Sequence, residues 1–520
     1  MKRILIRLLV LWICCGTVYS CKKTDKPITD PCFLKNQMGE PCDPEPFLPV
    51  ELPHASPESQ GVRSEDIISF MDNLEQQNMN MHSFMLLRNG KVLAECYWPF
   101  FSANKKQRLY SAGKSFTSLA IGMMVDEGRI FLNDKVVDYF PEYMPITNNN
   151  ILNATIRDLL MMAALNASVT YSTSANANWV TTTFSASQNN LGTYNYGTPP
   201  NHVLTAIVEK LSGKPMLEYM RPLFDQMGIS MDIWCVKAPE GYSWTGSGIL
   251  CTAQDLAKFG LLALNRGEWF GKQLISREYM EAATTRQISD NGQFYGYGYG
   301  YQFICGQSSS FLCEGLRGQF VIGIPSKNLL LVATADDRSW PIYSSFFTLA
   351  NKIVSTTLSE NLVAKKQLED KIANVFTPLP TGSKTTAKAA DYSGVTYTFS
   401  GRGGFNWMKV DISPDECIIN YQSTYGTRKF ILGMDKYILQ ELLPEKYFGS
   451  QVGVYDTQYN TIGGGAWEND NKLAGMIYAI DDYLGYIKIT LSFESGKLRV
   501  TMENDAVWFF DNYLGTALSD

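Results

Sequence analysis

Residues 108–130, RLYSAGKSFTSLAIGMMVDEGRI, carry two patterns that few folds satisfy together. Phe116, Leu119, Ala120 and Met123 recur at helical spacing, which predicts a core-buried helix, and Gly128 supplies its stop. Ser111 and Lys114 stand three residues apart in its first turn, on one face. The amine is thereby in reach of the hydroxyl, and the helix N-terminus sets partial positive charge beside the oxygen. That is the layout of an activated nucleophile. The plainer reading is an N-cap serine with a surface lysine, and Ser-x-x-Lys alone does not decide between them. Ser102–Lys105 repeats the spacing in a polar stretch with no apolar helical face, and reads as a solvated loop.

The segment's surroundings are those of an exported protein. Residues 1–21 have a basic start, an apolar run and small residues before a cysteine, as a signal peptide does. Val18-Tyr19-Ser20-Cys21 resembles a bacterial lipobox, in which the cysteine is lipidated, and polar CKKTDKP follows at once. An ordinary cleaved signal peptide or an uncleaved anchor is the alternative. Residues 22–55 read as a Pro-rich spacer. No other stretch approaches the ~20 apolar residues of a spanning helix. A lipoprotein tethered through Cys21 is therefore expected, in the periplasm or at the cell surface, with a monomeric globular body.

The net charge of −6 is spread over interspersed acids and bases, which excludes a nucleic-acid surface or a basic membrane patch. Eleven cysteines in 520 residues are too few for a disulfide scaffold. Cys32 with Cys42, or Cys305 with Cys313, are spaced to close short loops. No Cys-x-x-Cys occurs and His54, His82 and His202 are scattered, so neither a zinc site nor an organic cofactor is expected.

Taken in order, residues 82–98 give two apolar runs around Asn89-Gly90, a strong hairpin signal. Thr155 and Asp158 form a capping box for a short helix over 155–165. Residues 166–195, rich in Ser, Thr, Asn and Ala, read as a long surface excursion. Val203, Leu204, Ile207, Val208 and Leu211 make a second buried helical stripe closed by Gly213, with Tyr196 on the turn before it. His202 is expected to face solvent or the helix flank. Thr252 and Asp255 cap a third helix, and QFVIGI and LLLVATA form a strand pair around residues 325–328. Residues 377–390 are a linker by composition, and beyond them period-two alternation, as in Ile487, Ile489, Leu491 and Phe493, predicts a β domain.

The segments RLYSAGKSFTSLAIG, TIRDLL, YNYGTPPNHVL, GSGILCTAQDLAKFG and GLRGQFVIGIP occur in one order. Together they resemble the serine β-lactamase-like family, which includes class C β-lactamases, D-Ala-D-Ala carboxypeptidases and related esterases and amidases. The 6-aminohexanoate-dimer hydrolase branch is the nearest. The resemblance implies an α+β fold: an antiparallel sheet flanked by helices on both faces, with a helical insertion between the first two motifs. It covers a catalytic domain at 56–376, followed by the linker 377–390 and a C-terminal all-β barrel or sandwich at 391–520.

Carried onto this sequence, the resemblance implies Ser111 as the acylated nucleophile, Lys114 as its base and Tyr196 as the acid and base of later steps. The backbone N–H groups of Ser111 and Leu316 would form the oxyanion hole. Thr198, Tyr242, Glu314, Gly315 and Arg317 are candidate substrate contacts. Thr198 stands where the family has Asn or Ser, and Cys313-Glu314 replaces a Lys-Thr pair, removing the cation that holds a β-lactam carboxylate. The glycine expected after TIRDLL is absent at residues 163–165. Free lysine, near pKa ~10.4, is a poor base at neutral pH, so Lys114 has to be buried or crowded to work. An exported hydrolase of an ester or amide is expected, nearer an esterase, amidase or D-peptidase than a true β-lactamase, acting on a small-molecule or peptide substrate. A catalytically silent surface lipoprotein that binds peptide or glycan in the inherited cleft is the rival.

Overall fold

The structure is a computed structural model. It describes residues 51–520 apart from 147, 166–168, 170, 173, 175, 187–190, 401–403, 424–425, 443–458, 482–483 and 507–513. The expected signal peptide, Cys21, most of the expected spacer, Cys32 and Cys42 lie outside the described residues.

The chain enters through a helix, α1 (Ser64–Gln76), and then the hairpin β1 (Met81–Arg88) and β2 (Lys91–Tyr97). Asn89 (φ 50°) and Gly90 (φ 73°) both turn left-handed, as a two-residue hairpin loop requires. A short polar loop leads to α2 (Lys114–Asp126), which Gly128 ends at φ 69°. The insertion follows: α3 (Ile156–Leu160), with both capping-box bonds between Thr155 and Asp158, and α4 (Trp179–Ser185). Next come α5 (Pro199–Ser212) and α6 (Ala253–Leu264), capped by Thr252. Strands β3 (Ile304–Cys305), β4 (Phe311–Gly315), β5 (Gln319–Ile324) and β6 (Leu329–Ala335) complete the sheet, and α7 (Ser339–Lys352) returns across it.

The strand order is β2-β1-β6-β5-β4-β3, antiparallel throughout. Because side chains alternate along a strand, each central strand feeds two cores. Met85, Leu87, Val321, Leu330 and Val332 face α2, α5 and α6. Phe84, Leu86, Phe320, Ile322 and Leu331 face α1 and α7. Arrangement of helices on both faces therefore agrees with the expected fold.

The C-terminal part is a ten-stranded sheet among the described residues: β7 (Thr396–Thr398), β8 (Phe405–Ile412), β9 (Glu416–Ser423), β10 (Gly426–Gly433), β11 (Ile438–Leu442), β12 (Tyr459–Asn469), β13 (Lys472–Ile480), β14 (Leu484–Glu494), β15 (Lys497–Ala506) and β16 (Gly515–Leu518). The sheet curls until its edges approach, and the Asp520 N–H donates to the Thr398 carbonyl at 2.9 Å. Met408, Ile419, Phe430, Leu473, Ile487, Leu491 and Val500 fill its interior.

Three expectations need correction. Cys305 and Cys313 are both free and buried, because they lie on paired strands as packing residues. The excursion 166–195 is not all surface: Asn178 caps α4, whose Trp179, Val180, Thr183 and Phe184 are buried. Sparse periodicity hid a helix of only two turns. His202 is buried rather than exposed, since Trp179 on α4 lies edge-on to it with ring centroids 5.3 Å apart, and its Nε2 meets Glu240 Oε1 at 2.7 Å. No helix among the described residues is long and apolar enough to cross a membrane.

Candidate active site

The site grows from the turn that opens α2. Tyr110 takes φ 47°, starting a 3-10 turn over Tyr110–Gly113 that runs straight into the helix. A Cβ on Gly113 would lie 2.4 Å from the Thr245 carbonyl, so only glycine lets this turn approach the 245–248 loop. Ser111 is half-buried and Lys114 is buried. Lys114 Nζ donates to Ser111 Oγ at 2.8 Å and to the Gly246 carbonyl at 3.1 Å. Burial pulls its pKa down to about 7, and no carboxylate pairs with it among the described residues. An amine held this way is substantially unprotonated near neutrality and can accept a proton from the hydroxyl.

Tyr196 stands on the segment before α5, half-buried, and the Ser111 side chain acts on its phenol. Its ring is braced edge-on by Phe294 at 4.9 Å and Tyr299 at 6.0 Å, and Lys114 Nζ lies 5.0 Å from its centroid. Burial drives the phenol pKa upward, which keeps it protonated as a donor. The Ser111 oxygen is thus hydrogen-bonded to the amine, with the phenol beside the same pair.

A buried polar layer fixes this pair from behind. Asn201 Nδ2 donates to the Lys114 carbonyl at 3.4 Å and to Gln302 Oε1 at 3.3 Å, and its Oδ1 accepts from Thr245 Oγ1 at 3.0 Å. Thr245 Oγ1 also meets Thr117 at 2.8 Å and Thr205 at 2.5 Å. Thr198 opens α5, its Cγ2 3.2 Å from where a Cβ on Gly246 would lie. Asn201, Thr245, Gly246 and Gln302 escaped the sequence reading. Asn201, five residues beyond Tyr196 on a strongly apolar helix, was the available signal.

Strand β4 forms the opposite wall. A Cβ on Gly315 would lie 2.0 Å from the Leu109 carbonyl, so the strand end lies against the turn that carries Ser111. Cys313 packs in the core that α2 faces, and burial pushes its thiol up to about 12. Glu314 points to the other face, where Tyr295 Oη donates to it at 2.8 Å, and burial raises its carboxyl pKa. Leu316 follows with its side chain 49% exposed. Arg317 is half-buried, with its side chain only 8% exposed and committed to Asp336 and, at 2.7 Å, to Asp505. Tyr242 lies apart, with ring centroids 6.4 Å from His202, its phenol pushed up to about 12 by burial. Ser111, Lys114 and Tyr196 are therefore brought together, Glu314 and Gly315 adjoin them, and Arg317 and Tyr242 have other partners.

Comparison with known proteins is consistent with this frame. The beta-lactamase family model matches residues 69–341. A 6-aminohexanoate-dimer hydrolase from Paenarthrobacter ureafaciens is 25% identical over 320 residues, covering 55% of this chain and 80% of its own. Among solved structures, a penicillin-binding protein homologue from Caulobacter crescentus is 14% identical with a TM-score of 0.47, covering 57% of this chain and 98% of its own. Another, from Pyrococcus abyssi, is 15% identical with a TM-score of 0.44, covering 88% and 99%.

Proposed function

Since this chain belongs to the beta-lactamase family, we propose that it is an exported serine hydrolase that opens an ester or amide bond through an acyl-enzyme on Ser111. Lys114 takes the Ser111 proton as Oγ attacks the acyl carbon. The backbone N–H groups of Ser111 and Leu316 stabilise the oxyanion of the tetrahedral intermediate. Tyr196 donates its proton to the leaving group and is recharged by protonated Lys114; in deacylation it takes a proton from the attacking water while passing its own to neutral Lys114, which returns it to Ser111 Oγ as the acyl bond breaks. The observation that carries this reading is the buried Lys114 amine, 2.8 Å from Ser111 Oγ with its pKa lowered to about 7.

The substrate is an ester, amide or D-peptide rather than a β-lactam. Cys313 and Glu314 stand where the family has a Lys-Thr pair, so the cation that would hold a β-lactam carboxylate is missing there, and the Glu314 carboxyl is taken up by Tyr295. A relative named for hydrolysing a 6-aminohexanoate dimer supports the amide side of this choice. Turnover of p-nitrophenyl butyrate against nitrocefin tests it: the ester is hydrolysed and nitrocefin is not, and rapid nitrocefin turnover would refute the substrate assignment. The catalytic domain spans 56–376 and the β domain 391–520, with lipid on Cys21 holding the body at the membrane. Cys21→Ser should move the protein from the membrane fraction to the soluble one.

A further inference from the structure

The two residues that adjoin the oxyanion donors share an unusual property. Tyr110, before Ser111, and Arg317, after Leu316, are both non-glycine residues in the left-handed region, with φ 47° and 65°. Such a conformation persists only where the surroundings impose it. In both cases part of the surroundings comes from the C-terminal β domain, and Arg317 lies besides in the β4–β5 turn next to Gly318 at φ 89°. The Leu484 N–H, at the start of β14, donates to Tyr110 Oη at 3.1 Å in a buried contact. Asp505 on β15 pairs with the Arg317 guanidinium at 2.7 Å, and Tyr486 on β14 places its ring 5.4 Å beneath that group. Asp336 at the end of β6 joins from the catalytic side, and it and Arg317 both act electrostatically on Tyr110. The two clamps are one contiguous cluster.

We propose that strands β14 and β15 act as a positioning element of the oxyanion hole, with Leu484 on Tyr110 and Asp505 on Arg317 fixing the two backbone segments whose N–H groups receive the developing charge. This rests on the acyl-enzyme reading above. An oxyanion hole works by preorganisation, and donors displaced by a fraction of an ångström lose transition-state stabilisation while leaving ground-state binding intact. The effect belongs in kcat rather than KM.

The test compares the full-length wild type, Tyr110→Phe, Asp505→Asn and, as rescue, Asp505→Glu. Lys488→Ala, which breaks only the exposed 3.6 Å pair with Glu503 between the same two strands, is the control. Each is assayed for fluorophosphonate acylation rate, for kcat and KM on p-nitrophenyl butyrate, and for melting temperature. Tyr110→Phe and Asp505→Asn should each lower kcat and the acylation rate about tenfold, part of the ~10²–10³ that loss of a whole donor costs. KM should stay within about twofold, with Asp505→Glu recovering most of the loss and Lys488→Ala showing none. Wild-type acylation with unchanged rates in both variants would overturn the positioning role and leave the hydrolase reading standing. A loss that tracks melting temperature, or that falls on KM, would likewise assign the cluster to stability or binding. No acylation of a folded wild type would overturn the hydrolase reading itself and the positioning role with it.

Discussion

The chain contains the same tetrapeptide spacing twice within thirteen residues, at Ser102–Lys105 and at Ser111–Lys114, and folding treats them in opposite ways. Ser102 is exposed in a turn, and Lys105 pairs at 3.5 Å with Asp481 of the β domain while remaining 31% exposed. Lys114 is buried, has no carboxylate partner among the described residues, and spends its donors on Ser111 and a backbone carbonyl. The first lysine is an ordinary surface cation worth at most ~1 kcal/mol. Burial of the second raises the free energy of its charged form and so favours the neutral amine that the proposed mechanism needs as a base. Spacing brings a lysine to a serine; desolvation decides what it does there.

Substitutions at matched positions sharpen or break this contrast. The largest effect is expected from Ser111→Ala, which should cut kcat on p-nitrophenyl butyrate at least ~10⁴-fold, against no change for Ser102→Ala. Lys114→Met should cost ~10³-fold or more, whereas Lys105→Met should stay within about twofold, as surface ion pairs do. Tyr196→Phe keeps the ring packed on Phe294 but removes the proton, and a loss of ~10²–10⁴ in kcat is expected. Burst kinetics would locate the loss in acylation or deacylation.

Two pH experiments give smaller signals. In the proposed mechanism acylation requires neutral Lys114, so its rate should fall as pH drops through about 7 and level off above it. Stability follows from the same lowered pKa. Between about 7 and the ordinary lysine range the unfolded chain binds the extra proton, so Lys114 destabilises the fold at neutral pH, less as pH rises. Lys114→Met should therefore melt about 2 °C higher than wild type at pH 7, and the gap should narrow toward pH 10. Lys105→Met should show neither trend.

Where contacts are local, the sequence was readable. The Asn89-Gly90 hairpin, the Thr155–Asp158 capping box, the Thr252 cap and the stops at Gly128 and Gly213 each involve residues within a few positions of one another. Family resemblance added the pairing of Ser111 with Tyr196, 85 positions on, which no periodicity reveals. What stayed hidden depends on tertiary approach: the Gly246 carbonyl that takes a hydrogen bond from Lys114, the threonine–asparagine layer behind it, and the burial of His202 beneath α4. Most remote is the bond from Leu484 to Tyr110, across 374 residues, where nothing near either residue names the other. Arg317 was legible as a charge near the third motif, but its commitment to Asp336 and Asp505 was not.

The most direct test is peptide mapping of the fluorophosphonate adduct, with its rate of formation followed at pH 6 and pH 8. One adduct on the peptide bearing Ser111, forming severalfold faster at pH 8 and absent from Lys114→Met over the same interval, is the predicted result. Modification at Ser102, equal rates at both pH values, or undiminished labelling of Lys114→Met would contradict the claim that a buried, neutral lysine activates this serine.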